Sequence, residues 1–206
     1  LHELTHSFPT RRSSDLGALD AILECSDATG IAAAQALFPV AVDNCDGNVI
    51  NIVKVSGAFV AGSCPNAGTY TNTWTVADDC GNTSTVFTQV ITITDNTAPT
   101  WTTAAGALNA TLDCSDAAGI AAAQALFPTA SDNCDGNVTN IVKVSGAFVA
   151  GSCPNAGTYT NTWTVTDDCG NTSTVFTQVI TITDLTGPTV ITKNIFANLD
   201  ANGQVT

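Results

Sequence analysis

One block of sequence occurs twice in this chain, 89 residues apart, and that duplication constrains the fold more than any other feature. Gly17 to Asp95 and Gly106 to Asp184 differ at only eight positions: Asp20/Asn109, Ile22/Thr111, Glu24/Asp113, Thr29/Ala118, Val40/Thr129, Val42/Ser131, Ile50/Thr139 and Ala77/Thr166. Self-similarity at a fixed period marks a modular array in which each repeat is one structural unit. The period here is too long for a helical or leucine-rich solenoid and suits one small all-β domain per repeat. The cysteines recur with it, Cys25, Cys45, Cys64 and Cys80 returning as Cys114, Cys134, Cys153 and Cys169.

A domain of about 90 residues lies near the size at which a hydrophobic core alone is marginal. Paired cysteines in each repeat compensate for a thin core, and such a framework places the chain in an oxidising compartment: extracellular, periplasmic or cell-surface. Zinc needs close ligand pairs such as C-x-x-C, whereas the nearest cysteines here are Cys64 and Cys80. Lys and Arg total 5 against 18 Asp and Glu, a net charge of -13, which argues against a nucleic-acid partner. No apolar stretch reaches the roughly 18 residues of a membrane span.

The N-terminus breaks the repeat. His6 to Leu16 has no counterpart in Asp95 to Ala105 and reads as one frame of a common sequencing adapter, with the repeat resuming at Gly17. Residues 1–16 are therefore set aside as a non-native segment. Both histidines (His2, His6) and both arginines (Arg11, Arg12) lie within it, leaving Lys54, Lys143 and Lys193 as the only other bases. The many Ser and Thr hydroxyls therefore have no histidine to activate them. The adjacent pairs Asp78-Asp79 and Asp167-Asp168 recur in every copy, as a turn does and an active site rarely does. The chain reads as non-enzymatic, with no catalytic residues.

The second copy is the complete one. Pro99 and Trp101 open it on an edge strand, and Leu108 to Cys114 alternates as a short strand. Ser115-Asp116 offers an N-cap to a helix over Gly119 to Phe127, ended by Pro128 and crossing from one sheet to the other. A turn over Asp132 to Asn137 leads into a strand over Val138 to Val144, on which Lys143 is expected to face water. Tyr159, Asn161, Trp163 and Val165 alternate with threonines on a half-buried strand. A turn at Asp167 to Asn171 returns the chain into a last strand ending at Thr183. This pattern predicts a β-sandwich, with Trp74 and Trp163 in the core and sugar stacking the lesser reading for them.

Three motifs in this order (an Asp-x-Thr-x-Pro opening at Asp184 to Pro188, an Asp-Asn-Cys turn, and a Thr-x-Asp-Asp-Cys-Gly-Asn-Thr hairpin) resemble the HYR and HYR-like domains. These are immunoglobulin-like sandwiches strung in tandem in extracellular proteins, abundantly in surface proteins of Bacteroidetes-type bacteria. The resemblance covers residues 17–206 and implies a first sandwich at 17–95 lacking its opening strand and a complete second one at 96–184. A truncated third begins at 185–206, with Ala201 where Cys114 would fall. The fold class implied is all-β: tandem immunoglobulin-like β-sandwiches with a short helical crossover in each repeat. The role implied is a spacer or adhesion module of a secreted or cell-surface protein, whose partners are neighbouring repeats and a surface protein or glycan. The alternative is a carbohydrate- or protein-binding accessory array attached to a secreted hydrolase.

Two expectations concern site residues. Four cysteines allow three connectivities. If the strand ending at Cys114 runs parallel beside the last strand, Cys114 and Cys153 share one end and Cys134 and Cys169 the other. That topology predicts Cys25–Cys64, Cys45–Cys80, Cys114–Cys153 and Cys134–Cys169. Separately, Asp132, Asp135, Asp167 and Asp168 occupy two loops at one end, which meets Asp95 at the linker. Calcium takes such oxygen ligands from loops, but solvated turns use the same residues, and the sequence favours turns. No other cofactor is indicated.

Overall fold

The computed structural model describes residues 17, 19–45, 49–193, 201, 202 and 204; the adapter-like segment lies outside them, as does most of the region assigned to a third repeat beyond residue 193. The first repeat forms β1 (Ala21–Glu24), α1 (Ala28–Gln35), β2 (Ile52–Val55), β3 (Val60–Ala61), β4 (Gly68–Val76) and β5 (Phe87–Thr94). The second forms β6 (Thr100–Trp101), β7 (Ala110–Asp113), α2 (Ala117–Gln124), β8 (Ala130–Asp132), β9 (Gly136–Val138), β10 (Ile141–Val144), β11 (Val149–Ala150), β12 (Gly157–Val165) and β13 (Phe176–Thr183).

Each repeat builds one five-stranded sheet, ordered β1-β5-β4-β2 with β3 also on β4, and β7-β13-β12-β10 with β11 also on β12. β1 runs parallel to β5 and β7 parallel to β13, while the remaining pairs are antiparallel. Period-two alternation explains why the central strands are central. Asn161, Trp163 and Val165 point inward from β12, and Phe176, Gln178, Ile180 and Ile182 from β13, all buried.

The helix lies on this inner face, Ala123 and Ile120 packing against Ile180, Ile182 and Leu112. Asp116 caps it, its side chain accepting from the Gly119 N–H at 2.8 Å. A Cβ on Gly119 would sit 2.2 Å from Asp116 Oδ2, so the cap itself requires glycine there. The helix begins and ends earlier than the sequence pattern predicts. It stops at Gln124 because residue 128, which would bond the Gln124 carbonyl in a continuing helix, is a proline without an N–H, and Lys143 takes that carbonyl instead.

In a buried polar knot beneath the helix, Asn161 Nδ2 donates to Gln124 Oε1 at 2.8 Å and to Gln178 Oε1 at 2.9 Å. Gln178 Nε2 in turn donates to the Leu108 and Ala123 carbonyls. Asn72, Gln35 and Gln89 repeat the arrangement in the first copy. In the second repeat Asn161 Oδ1 also accepts the Gly146 N–H at 3.3 Å, whereas Asn72 Oδ1 in the first has no partner. The paired amides fix the helix over one register of the sheet, since leaving a buried one unpaired costs about 1–3 kcal/mol.

Lys143 completes the knot and corrects an expectation: it does not face water. Its Nζ donates to the Gln124 carbonyl and lies 5.1 Å from the Trp163 ring centroid and 5.6 Å from that of Phe127. Val142 and Val144 take the outward positions instead, 62 % and 64 % exposed. The charge is accepted inside because a helix C-terminal carbonyl and two aromatic faces receive it.

The expected strand over Val138 to Val144 is also two strands. β9 pairs with β8, whereas β10 pairs with β12, so the chain changes sheets at Thr139-Asn140. β6, β8 and β9 form a three-stranded second sheet that closes the sandwich. Ala130 and Val138 pack from it onto Val165, with Trp101 and Ile141 alongside. The sandwich is therefore immunoglobulin-like and all-β apart from its short helices.

Among the described residues, the first repeat has no counterpart of this second sheet. Position 12, equivalent to Trp101, falls outside the described residues. Pro39, Ala41, Trp74, Val76 and Phe87 border a small cleft on the face that corresponds to the Trp101 side of the second repeat. Val40 and Val42 are left 84 % and 65 % exposed. No helix among the described residues is long and apolar enough to cross a membrane.

Candidate functional site at the joint between repeats

Parallel pairing of β1 with β5 brings both strand ends, Glu24-Cys25 and Thr94-Asp95, to one end of the first sheet. The loop from β3 to β4, carrying Cys64, lies at that same end. The linker after Asp95 is short, so this end abuts two turns of the second repeat. One is the β8–β9 hairpin with Cys134; the other is the β12–β13 connection with Cys169, where Gly170 takes φ +94°.

Two disulfides cross the joint: Cys25–Cys134, with Cα atoms 5.8 Å apart, and Cys64–Cys169, at 5.1 Å. Both separations are ordinary for disulfides. This corrects the expected pairing within repeats. Cys25 does not bond Cys64, nor Cys134 bond Cys169, and Cys45, Cys80, Cys114 and Cys153 are free thiols. The reasoning about which cysteines share an end holds, since Cys25 and Cys64 lie on one side of the joint and Cys134 and Cys169 on the other. The partner differs because the end of one repeat is seated against the beginning of the next.

Polar contacts cross alongside. Asn66 Nδ2 donates to Asp135 Oδ1, Asn133 Nδ2 to Ser26 Oγ at 2.9 Å, and Asn171 Nδ2 to the Asp95 carbonyl at 3.1 Å. Glu24, which sequence reasoning passed over, accepts from the Asn96 N–H and the Thr97 hydroxyl, both at 3.0 Å, and so ties the linker down. The Asn96 N–H is the main reason its carboxyl lies below the usual range, helped by the Thr97 hydroxyl. The one signal that could have singled it out is the Glu24/Asp113 difference between copies.

Carboxylate oxygens of Asp95, Asp135 and Asp167 converge to within 4.8 Å of one another. Asp167 is turned partly inward: its Oδ1 accepts the Cys169 and Asn171 N–H groups, its Oδ2 the Asn171 side chain. Asp135 Oδ2 accepts the Asp168 N–H at 2.8 Å. Asp95 is the buried member of the group with an unpaired oxygen: it is 7 % accessible, and its Oδ2 has no hydrogen-bond partner. Burial pushes its carboxyl above the usual range, and the charges of Asp132, Asp167 and Asp135 push the same way. Of the remaining candidates, Asp132 borders the cluster with its own buried unpaired Oδ2, while Asp168 takes part through its backbone and is itself exposed. Converging carboxylates with an unpaired oxygen match the donor set of a hard cation such as calcium.

The fold and the joint together define an array of immunoglobulin-like β-sandwich repeats linked end to end. Residues 102–182 match the family model described as an HYR-like domain with 4 cysteines. A comparison with curated proteins finds no match. Among solved structures, the fibronectin(III)-like modules of Clostridium thermocellum CbhA are similar at 12% identity and a TM-score of 0.27, over 92% of this chain and 100% of that one.

Proposed function

We propose that the chain is a non-enzymatic spacer or adhesion segment of a secreted or cell-surface protein, in which successive sandwiches are locked at their joints. The observation that supports this best is the pair of disulfides crossing from one repeat to the next. A single crossing would leave a swivel, whereas two separated crossings resist both bending and rotation. The disulfides and the HYR-like match both favour an extracellular setting. The rival reading, a binding accessory to a secreted hydrolase, draws little support from surface aromatics. Phe38 and Phe127 are each 53 % exposed, so neither copy presents an aromatic patch of its own there.

Small-angle scattering tests the spacer reading on the intact chain before and after mild reduction. A narrow distribution of particle dimensions that broadens on reduction is the expected result. A distribution equally broad in both states would refute the claim that the joint constrains the array.

A second reading concerns calcium, and the observation favouring it is the buried, unpaired Asp95 Oδ2 facing Asp135 and Asp167. A divalent cation there would offset the repulsion and stiffen the joint. Extracellular modules bind calcium at about 10⁻⁴ to 10⁻³ M, so calorimetry belongs at millimolar calcium. Binding that is lost in Asp95→Asn supports the site; no heat in the native chain returns these aspartates to turn-forming residues.

A further inference from the structure

The free thiols are not scattered. Cys114 and Cys153 occupy in the second repeat the positions that Cys25 and Cys64 hold in the first, and Cys45 and Cys80 match Cys134 and Cys169. The free cysteines are therefore the unmatched halves of the same two crossings, one pair at each outer end of the chain.

Burial follows the same logic. At the joint, Cys64 is 6 %, Asp95 7 % and Asp167 5 % exposed. Their equivalents at the outer ends are more open: Cys153 and Asp184 are exposed and Asp78 is half-buried. Among the described residues, the outer ends carry the same joint cysteines without the disulfide partners that the joint supplies. Of the differences between copies, Glu24/Asp113 changes this end only by one methylene, and the carboxylate is kept.

We propose that the Cys114/Cys153 end is a docking surface for the Cys45/Cys80 end of another repeat of this type, a second copy of this chain being a competent partner. The bonds formed are Cys114–Cys45 and Cys153–Cys80, mirroring Cys25–Cys134 and Cys64–Cys169. The inference deepens the spacer reading and rests on it. Each bond needs a disulfide oxidant such as oxidised glutathione. A protein thiolate attacks it, releasing one glutathione thiolate; the second protein thiolate displaces the other, so two electrons leave the protein and two glutathione thiols form. Because the two surfaces differ, the contact is head-to-tail, and each added copy presents a free end to the next.

The test is oxidation of the native chain in a glutathione redox buffer over a series of protein concentrations. Mildly alkaline pH is preferred, because burial and the charges of Asp184 and Asp113 hold the Cys114 thiol above its usual range. The expected result is a ladder of linked chains that grows with concentration, collapses on reduction, and is abolished in C114S/C153S. Peptides linking Cys114 to Cys45 identify the contact by mass, since the flanking Glu24/Asp113 and Val42/Ser131 differences separate them from Cys25 and Cys134 peptides. Dominant Cys114–Cys153 closure within one chain, or a monomer with free thiols at every concentration, overturns the proposal. If Cys25–Cys134 is recovered in that case, the array reading survives; if it too is missing, both fall.

Discussion

Trp101→Ala isolates what the second sheet contributes. The indole sits 5.4 Å from the Phe176 ring centroid and donates from Nε1 to the Thr174 carbonyl at 2.8 Å. Removing a fully buried Trp costs about 3–5 kcal/mol. Trp101 is only half-buried, so the packing loss should be about 2 kcal/mol. The hydrogen bond adds about 1 kcal/mol, giving about 3 kcal/mol in all. At about 4–8 °C per kcal/mol for a domain of this size, unfolding of the second repeat should fall by about 12–24 °C. Calorimetry of the intact chain reads the shift, and hydrogen exchange in β1 and β7, whose sequences differ, assigns it to a repeat. In the parent chain β7 should be the better protected, because the described residues of the first repeat form no strands matching β6, β8 and β9. A shift equivalent to less than about 1 kcal/mol, or equal protection of β1 and β7 in the parent chain, would refute the account of the second sheet as a stabilising layer.

Other consequences are as direct. Lys143→Ala should destabilise the second repeat by about 1–2 kcal/mol, through loss of the bond to the Gln124 carbonyl and of the Trp163 face; denaturant titration within error of the parent chain would show the contact to be passive. The joint should also respond to pH in opposite ways through its two perturbed carboxyls. Asp95 is raised, so its contribution to joint closure is present in full below the ordinary Asp value and is lost as pH rises through its own. Glu24 is lowered, so its contribution is present above the ordinary Glu value and lost as pH falls through its own. Without calcium, Asp95→Asn should therefore slow phosphine reduction of the joint disulfides at neutral pH, and the difference from the parent should vanish below about pH 4. A pH-independent difference would mean the charge of Asp95 is not what loosens the joint.

Much of each repeat is legible in local pattern. The alternation from Tyr159 to Val165 places Trp163 in the core, Asp116 caps the helix, and the turns at Asp132 and Asp167 fall where the Asp, Asn and Gly residues lie. These follow from the sequence alone because each depends on residues a few positions apart. Which cysteines share an end was also within reach, since it needs only the parallel pairing of β7 with β13. What pairs with what was not. The choice between Cys25–Cys64 and Cys25–Cys134 depends on how two separately folded bodies are seated across a short linker, and the sequence around each cysteine carries the same local signal for either outcome. Lys143 belongs to the same class: period-two alternation puts it opposite its neighbouring valines, but only the helix lying over the sheet supplies the carbonyl and rings that make the inward side its better solvent. The same holds at the joint, where Asp95 acquires its perturbed carboxyl from burial against residues some forty to seventy positions downstream. Local sequence determines what each segment can do; the close approach of distant segments, with the desolvation it brings, decides what their charged and thiol groups become.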